Sequence, residues 1–167
     1  YGNVGSWTGR ILAKMGAKLV AVMDHTGSIR SDRGLDAEAL AAHVAKNGGV
    51  AHFGGSEKIT TEDFYKTKVD AFIPAALEQM VKEQEAKWIN ARVLVEGANA
   101  PTTPAGDRVL NERGIEVIPA ILANSGGVTV SYFEWVQDLQ QFFWNDDEID
   151  QRLAQIMTRS FRDVLSV

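Results

Sequence analysis

At 167 residues, 45% hydrophobic and 23% charged, the chain is one domain's worth of sequence with enough apolar residues to bury a core. A net charge of −5 denies it the basic face of a general nucleic-acid binder, and the absence of cysteine removes disulfides and thiolate chemistry. No signal peptide and no apolar run of membrane-spanning length are read in it, so the expectation is a cytoplasmic protein with neither nucleic acid nor membrane as partner.

Residues 1–5, Tyr1-Gly2-Asn3-Val4-Gly5, open an apolar helical stretch over 4–15 that stops at Gly16 and runs into the β-rich segment 18–24, ending at Asp24. Gly2 and Gly5 have the spacing of the second and third glycines of a G-x-G-x-x-G fingerprint, whose first glycine would fall just before Tyr1. In that motif one glycine lets the backbone approach a pyrophosphate, the next lets helix and strand pack closely, and the helix N-terminus offers free N–H groups. Asp24, at the end of the following strand, then accepts from an adenosine ribose. The plainer alternative is a helix ended by Gly16 and an ordinary turn aspartate. On the motif reading the chain is a fragment lacking at least the first strand of its own sheet.

His25 to Arg30 reads as a turn and a short β-like segment, and Asp32-Arg33-Gly34 as a second turn. Asp36 is expected to cap an alanine-rich helix that Asn47-Gly48-Gly49 stops. Residues 50–58 have no clear period and read as loop, and Thr61 is placed as the cap of a short helix over 62–65.

Alternation of strand and helix follows. Residues 69–74 read as a strand ended by Pro74, with a helix then running through Met80 and Val81 to about Trp88. Residues 92–96 are a strand that Gly97-Ala98-Asn99 terminates; Thr103-Pro104 opens a helix that Gly114 stops; 116–121 is the next strand. Such alternation implies crossovers and hence an α/β, doubly wound, mostly parallel sheet flanked by helices. The strands of that sheet are expected to bury Val20, Val22, Phe72, Ile73, Val93, Val95, Val117 and Ile118. Ligands of such sheets sit at the strands' carboxyl ends, which here hold Asp24, Ala75 and Ala76, Asn99 and the stretch 123–127.

Ser125-Gly126-Gly127 suits a turn near a ligand, with a helix starting near Val128. Asn124, Val128 and Ser131 are spaced i, i+4, i+7, so Val128 and Ser131 share one face of that helix. An amide can pair with a carboxamide, an apolar side chain can line methylenes and a hydroxyl can donate to a carboxylate. Equally, Asn124 can cap the helix and Ser131 can bond back to its own backbone. Tyr132, Trp135, Leu139 and Phe142 continue an apolar stripe that reads as core or interface. Asp146, Asp147 and Glu148 read as the cap and first turn of a final helix, and His25, His43 and His52 lack metal-ligand spacing, so no metal site is expected.

Three stretches together resemble the nucleotide-binding domain of glutamate dehydrogenases: Gly2-Asn3-Val4-Gly5, Val95-Glu96-Gly97-Ala98-Asn99 with Pro101-Thr102-Thr103-Pro104, and the run from Ile118 through Asn124-Ser125-Gly126-Gly127 to Val130-Ser131-Tyr132-Phe133-Glu134-Trp135. The resemblance covers nearly the whole chain, and its last stretch is more specific than any dinucleotide motif. It implies a modified Rossmann fold with one strand reversed, so that 1–167 form a single NAD(P)-binding domain whose residues 145–167 are a C-terminal helix. It also implies interconversion of L-glutamate with 2-oxoglutarate and ammonia, and assembly of the full-length enzyme as a homo-oligomer, a hexamer. Gly2, Asn3, Val4, Gly5, Asp24, Ala75, Ala76, Asn99 and Asn124 would hold the cofactor; Val128 and Ser131 would meet the substrate. The family's catalytic lysines and aspartate lie in a preceding domain that this chain does not contain, so no residue here is assigned a catalytic role. Leucine, phenylalanine and valine dehydrogenases share the architecture, but not the Val-Ser-Tyr-Phe-Glu-Trp continuation.

A non-catalytic dinucleotide-binding or regulatory module, or a dehydrogenase for another amino acid, is the competing reading. For the cofactor, the charge of Asp24 argues for NAD, while His25, Thr26, Ser28 and Arg30 are donors able to receive the 2′-phosphate of NADP.

Overall fold

Glycine and capping chemistry set the boundaries of the first elements. In the computed structural model, which describes residues 1–166, α1 (Asn3–Lys14) begins after Gly2 and ends before Gly16, whose φ of 92° suits a residue without Cβ. β1 (Ala21–Asp24) turns at once into β2 (Gly27–Arg30), and α2 (Ala37–Asn47) starts on the Asp36 carboxylate, which accepts from the N–H groups of Glu38 and Ala39. Gly48, at φ 81°, closes α2. β3 (Glu57–Ile59), α3 (Thr61–Lys66), β4 (Val69–Phe72), α4 (Glu83–Trp88), β5 (Ala91–Val95), α5 (Pro104–Glu112) and β6 (Glu116–Ile118) follow. The chain divides into two compact units, residues 1–118 and 119–166 of those described, and the second holds α6 (Ala120–Ala123), α7 (Ser125–Gln140) and α8 (Asp146–Leu165). Val167, the last residue of the expected segment 145–167, lies outside the described residues.

The first unit is α/β, with two three-stranded sheets. β4, β5 and β6 pair in parallel, with Phe72 opposite Leu94 and Leu94 opposite Val117. β1, β2 and β3 pair antiparallel instead of extending a parallel array. Asp24 pairs directly with Gly27 across a turn of only His25 and Thr26, too short for a crossover, so β2 must run back along β1. β3 also forms within the stretch expected to be loop, because Glu57 and Lys58 find partners in Arg30 and Ile29.

Each sheet supports its own core. Leu94, Ile89, Leu110 and Val81 are fully buried with Tyr65 and Phe72; Val22, Ile29, Leu40 and Val50 form the second cluster. Of the strand residues expected to be buried, Val22 and Phe72 are; Val20, Ile73, Val93, Val95, Val117 and Ile118 are half-buried and none is exposed. Among the described strands β1 pairs only with β2 and β4 only with β5, so each has an edge without a partner, and side chains there are covered on fewer sides.

Several expected boundaries move. Thr60, not Thr61, caps α3, its hydroxyl accepting from the Asp63 N–H at 3.0 Å. The helix expected through Met80 begins only at Glu83. Upstream, the N–H groups of Gln79 and Val81 donate to the carbonyls of Ala100 and Pro101 at 3.0 and 2.9 Å, which commits them away from helical partners. β6 ends at Ile118, and Pro119 then caps the short α6. Asn145 caps α8, leaving Asp146, Asp147 and Glu148 in its first turn, where the helix dipole favours them.

Tyr65 gives the first core a pH signature. Burial, and secondarily the Glu85 carboxylate, push its phenol up to about 12. An unfolded tyrosine ionises near pH 10, so the stability this group contributes is complete below about pH 10 and is lost as pH rises toward 12. Tyr65→Phe should therefore move the midpoint of alkaline unfolding, followed by circular dichroism, to higher pH. An unchanged midpoint would show that Tyr65 does not limit alkaline stability.

Candidate functional site

The first turn of α1 is open. Gly2 precedes it in an extended conformation with no side chain to cap it, and a Cβ built on Gly2 would meet no atom within 4 Å. Helix N–H groups with no intrahelical partner therefore stand beside vacant space, where a helix dipole favours negative charge. Asn3 and Val4 are exposed there, and the helix is held from its next turn onward, beginning with the Ser6 N–H donating to the Gly2 carbonyl at 2.8 Å.

The strand ends beyond β4 and β5 lie against that turn. A Cβ on Gly5 would sit 3.8 Å from the Ala75 methyl, and one on Gly97 would sit 3.3 Å from the same methyl and 3.5 Å from the Pro74 carbonyl. Ala75 thus occupies a place between two glycines, and the Ala98 N–H donating to Pro74 at 2.9 Å fixes it. A side chain at 97 would press on Ala75, which would have to give way by a few tenths of an ångström. Ala76 and Asn99 are exposed beyond them, and Glu96 is buried at the end of β5.

A cavity of about 750 Å³ lies against the unpaired edges of both β1 and β4, with α1 as a further wall; Gly2, Gly5, Val22, Phe72 and Ala75 are among its lining residues.

Asp24 reaches the same region from β1. The Tyr1 amino nitrogen is 3.7 Å from its Oδ2. Oδ1 accepts from the Thr26 N–H at 2.8 Å and from the Thr26 hydroxyl at 2.6 Å, and Oδ2 accepts from the Val50 N–H at 3.0 Å. Partial burial opposes ionisation, but the Thr26 hydroxyl and N–H and the Val50 N–H together hold this carboxyl below the ordinary carboxylate range. Sequence reading found Asp24 and missed what holds it. The available signal was a hydroxyl residue two positions after an aspartate in a tight turn.

Asn124, Val128 and Ser131 belong to the second unit. Asn124 stands at the turn between α6 and α7, and α7 begins at Ser125, so Gly126 and Gly127 lie inside its first turn, not ahead of it. The Ser125 and Thr129 hydroxyls reinforce that turn, donating at 2.9 Å to Leu122 and Ser125 carbonyls. Val128 is 70% exposed, and Ser131, also exposed, donates to the Gly127 carbonyl at 3.2 Å. Tyr132, Trp135, Leu139 and Phe142 are exposed too, the Tyr132 and Trp135 rings lying 5.8 Å apart, whereas Phe133 is buried and meets Trp144 edge to face at 5.6 Å. Buried Gln137 fixes Trp144 by accepting from its backbone N–H at 2.6 Å. Elsewhere His43 lies between Ala51 and Asn47, and among the described residues no three His, Asp or Glu gather as a metal site would need.

Residues 1–167 match the family described as Glutamate/Leucine/Phenylalanine/Valine dehydrogenase. The glutamate dehydrogenase of Thermotoga maritima is 46% identical over 168 residues, covering 100% of this chain and 40% of that protein. NADP-specific glutamate dehydrogenase A1 of Halobacterium salinarum is 45% identical over 96% of this chain and 39% of its own length. Among solved structures, the hetero-hexameric glutamate dehydrogenase of Thermus thermophilus superposes with a TM-score of 0.88 at 28% identity, over 95% of this chain and 37% of that one. The chain thus spans about two fifths of the length of the curated relatives it matches.

Proposed function

The chain belongs to the glutamate/leucine/phenylalanine/valine dehydrogenase family, and from that membership we propose that it is the nucleotide-binding domain of a glutamate dehydrogenase. The full-length polypeptide would oxidise L-glutamate to 2-oxoglutarate and ammonia with NAD(P). The observation that carries the cofactor part is the uncapped start of α1, open above Gly2 and set among the small residues Gly5, Ala75 and Gly97. That arrangement suits a pyrophosphate approaching a helix N-terminus. Gly2, Asn3, Val4 and Gly5 would hold the pyrophosphate, Asp24 the adenosine ribose, and Ala75, Ala76, Asn99 and Asn124 the remainder.

Nicotinamide, when bound, supplies the hydride acceptor. The part of these residues is to bind and orient it, with Val128 lining the substrate methylenes and Ser131 donating to a substrate carboxylate. The cavity between the edges of β1 and β4 reads as the place of the strand expected ahead of Tyr1, since two unpaired strand edges offer backbone donors and acceptors that a parallel strand would satisfy. NAD is the preferred form on the charge of Asp24, although the H. salinarum relative is named NADP-specific. A cytoplasmic homo-hexamer is the assembly this reading carries, the T. thermophilus relative being a hetero-hexamer.

The test is dinucleotide reduction by the full-length polypeptide with glutamate, leucine, phenylalanine or valine. Faster turnover of any of the last three would overturn glutamate as the substrate. A companion variant isolates the helix start. Gly2→Ala, whose methyl meets no protein atom, should leave the thermal midpoint in place and weaken NAD about tenfold or more by occupying the pyrophosphate's approach. Unchanged NAD affinity would remove α1 from the site.

A further inference from the structure

We propose that Thr26 is a positioning residue that fixes the Asp24 carboxylate for the adenosine ribose, and so carries the preference for an unphosphorylated 2′-hydroxyl. The proposal rests on the dinucleotide reading above. A carboxylate has about four lone-pair directions. Both on Asp24 Oδ1 are taken by Thr26, through its hydroxyl at 2.6 Å and its N–H at 2.8 Å, and one on Oδ2 is taken by the Val50 N–H at 3.0 Å. These bonds leave one acceptor direction on Oδ2, the oxygen that has the Tyr1 nitrogen 3.7 Å away, enough for a single ribose hydroxyl. With its side chain only 9% exposed, Asp24 has little freedom to offer another.

The Thr26 hydroxyl works in both directions. It donates to Asp24 and accepts from the Ala51 N–H at 3.1 Å, tying the β1–β2 turn to the segment after α2. Packing supports the tie independently: a Cβ placed on Gly49 would lie 2.1 Å from the Thr26 methyl and 2.4 Å from its hydroxyl, so this side chain rests directly on the Gly49 backbone. Loss of the hydroxyl would free Asp24 to turn and would strip Ala51 of its acceptor. The carboxylate would then meet the ribose less often, while its unfavourable effect on a 2′-phosphate would also fade.

Thr26→Val keeps the shape and removes the hydroxyl; Thr26→Ser keeps the hydroxyl. In the full-length polypeptide, Thr26→Val should raise the KM for NAD about tenfold and lower the NAD:NADP ratio of kcat/KM at least about fivefold, with the KM for glutamate unchanged. Thr26→Ser should restore both to within about twofold. Gly49→Ala, which pushes Thr26 aside with its hydroxyl intact, should reproduce the Val phenotype and serves as the second arm if Thr26→Val does not fold. Equal weakening of NAD and NADP in the variants, or failure of Ser to rescue, would reduce Thr26 to a structural residue and overturn the proposal. An unmodified enzyme that prefers NADP overturns it as well while leaving the dinucleotide reading intact; one that binds neither dinucleotide overturns both, before any variant is made.

Discussion

Ser131→Ala should lower kcat/KM for glutamate and for 2-oxoglutarate about tenfold in the full-length polypeptide, while leaving the KM for NAD within about twofold. Ser131 lies seven positions beyond Asn124 and donates to the Gly127 carbonyl at 3.2 Å, a long contact on an exposed face of α7. A substrate carboxylate would replace that bond with a charge-assisted one. The charged bond contributes about 1.5–3 kcal/mol and the neutral one it displaces about 0.5–1.5, so the net loss on truncation is on the order of 1.4 kcal/mol, or tenfold. Steady-state kinetics with each ligand varied in turn decides the matter. If glutamate and NAD weaken together, or if neither changes, Ser131 serves only its own helix, as its bond to Gly127 would then be taken to mean.

What was legible in the sequence was local. Asp36, Thr103-Pro104 and Gly114 announce helix ends by chemistry contained within a few residues, and the structure uses them so, with the Asp36 side chain on two N–H groups and Gly114 at φ 67°. Residues 75–82 show the limit. Their apolar spacing is helical, but Gln79 and Val81 bond to Ala100 and Pro101, and a sequence does not display such distant partners. The Ser125-Gly126-Gly127 step failed for a related reason: glycines argue for a turn, yet Thr129 and Ser125 side chains stitch that turn into α7. Among candidate site residues, the position of Asp24 at a strand end was readable from alternation alone. Its hold by Val50 was not, since 26 residues separate the two.

Leu94→Ala should be strongly destabilising, and its effect should reach the candidate site. Leu94 is fully buried in the middle strand of the parallel sheet, opposite Phe72 on β4 and Val117 on β6. Removing a buried leucine to alanine costs about 2–5 kcal/mol, transfer and cavity terms together, against a typical domain stability of about 5–15 kcal/mol. Close-packed Ile89, Leu110 and Val81, all fully buried, leave little room for the surroundings to relax, which favours the upper part of that range. Glu96 and Gly97 follow directly after β5, and Gly97 lies close to the Ala75 that packs against Gly5, so looser β5 means a looser floor for the start of α1. Native-state hydrogen exchange in the full-length polypeptide should show the Val93 and Val95 amides at least about 30-fold less protected in Leu94→Ala. Exposed Arg92, on the same strand, supplies the contrast: Arg92→Ala should change protection by no more than about twofold. Saturating NAD should restore part of the lost protection in Leu94→Ala, because a ligand bound only by the folded domain shifts its opening equilibrium. Protection equal in the two variants would mean that Leu94 does not organise this sheet, and protection unmoved by NAD would separate the sheet's stability from the candidate site.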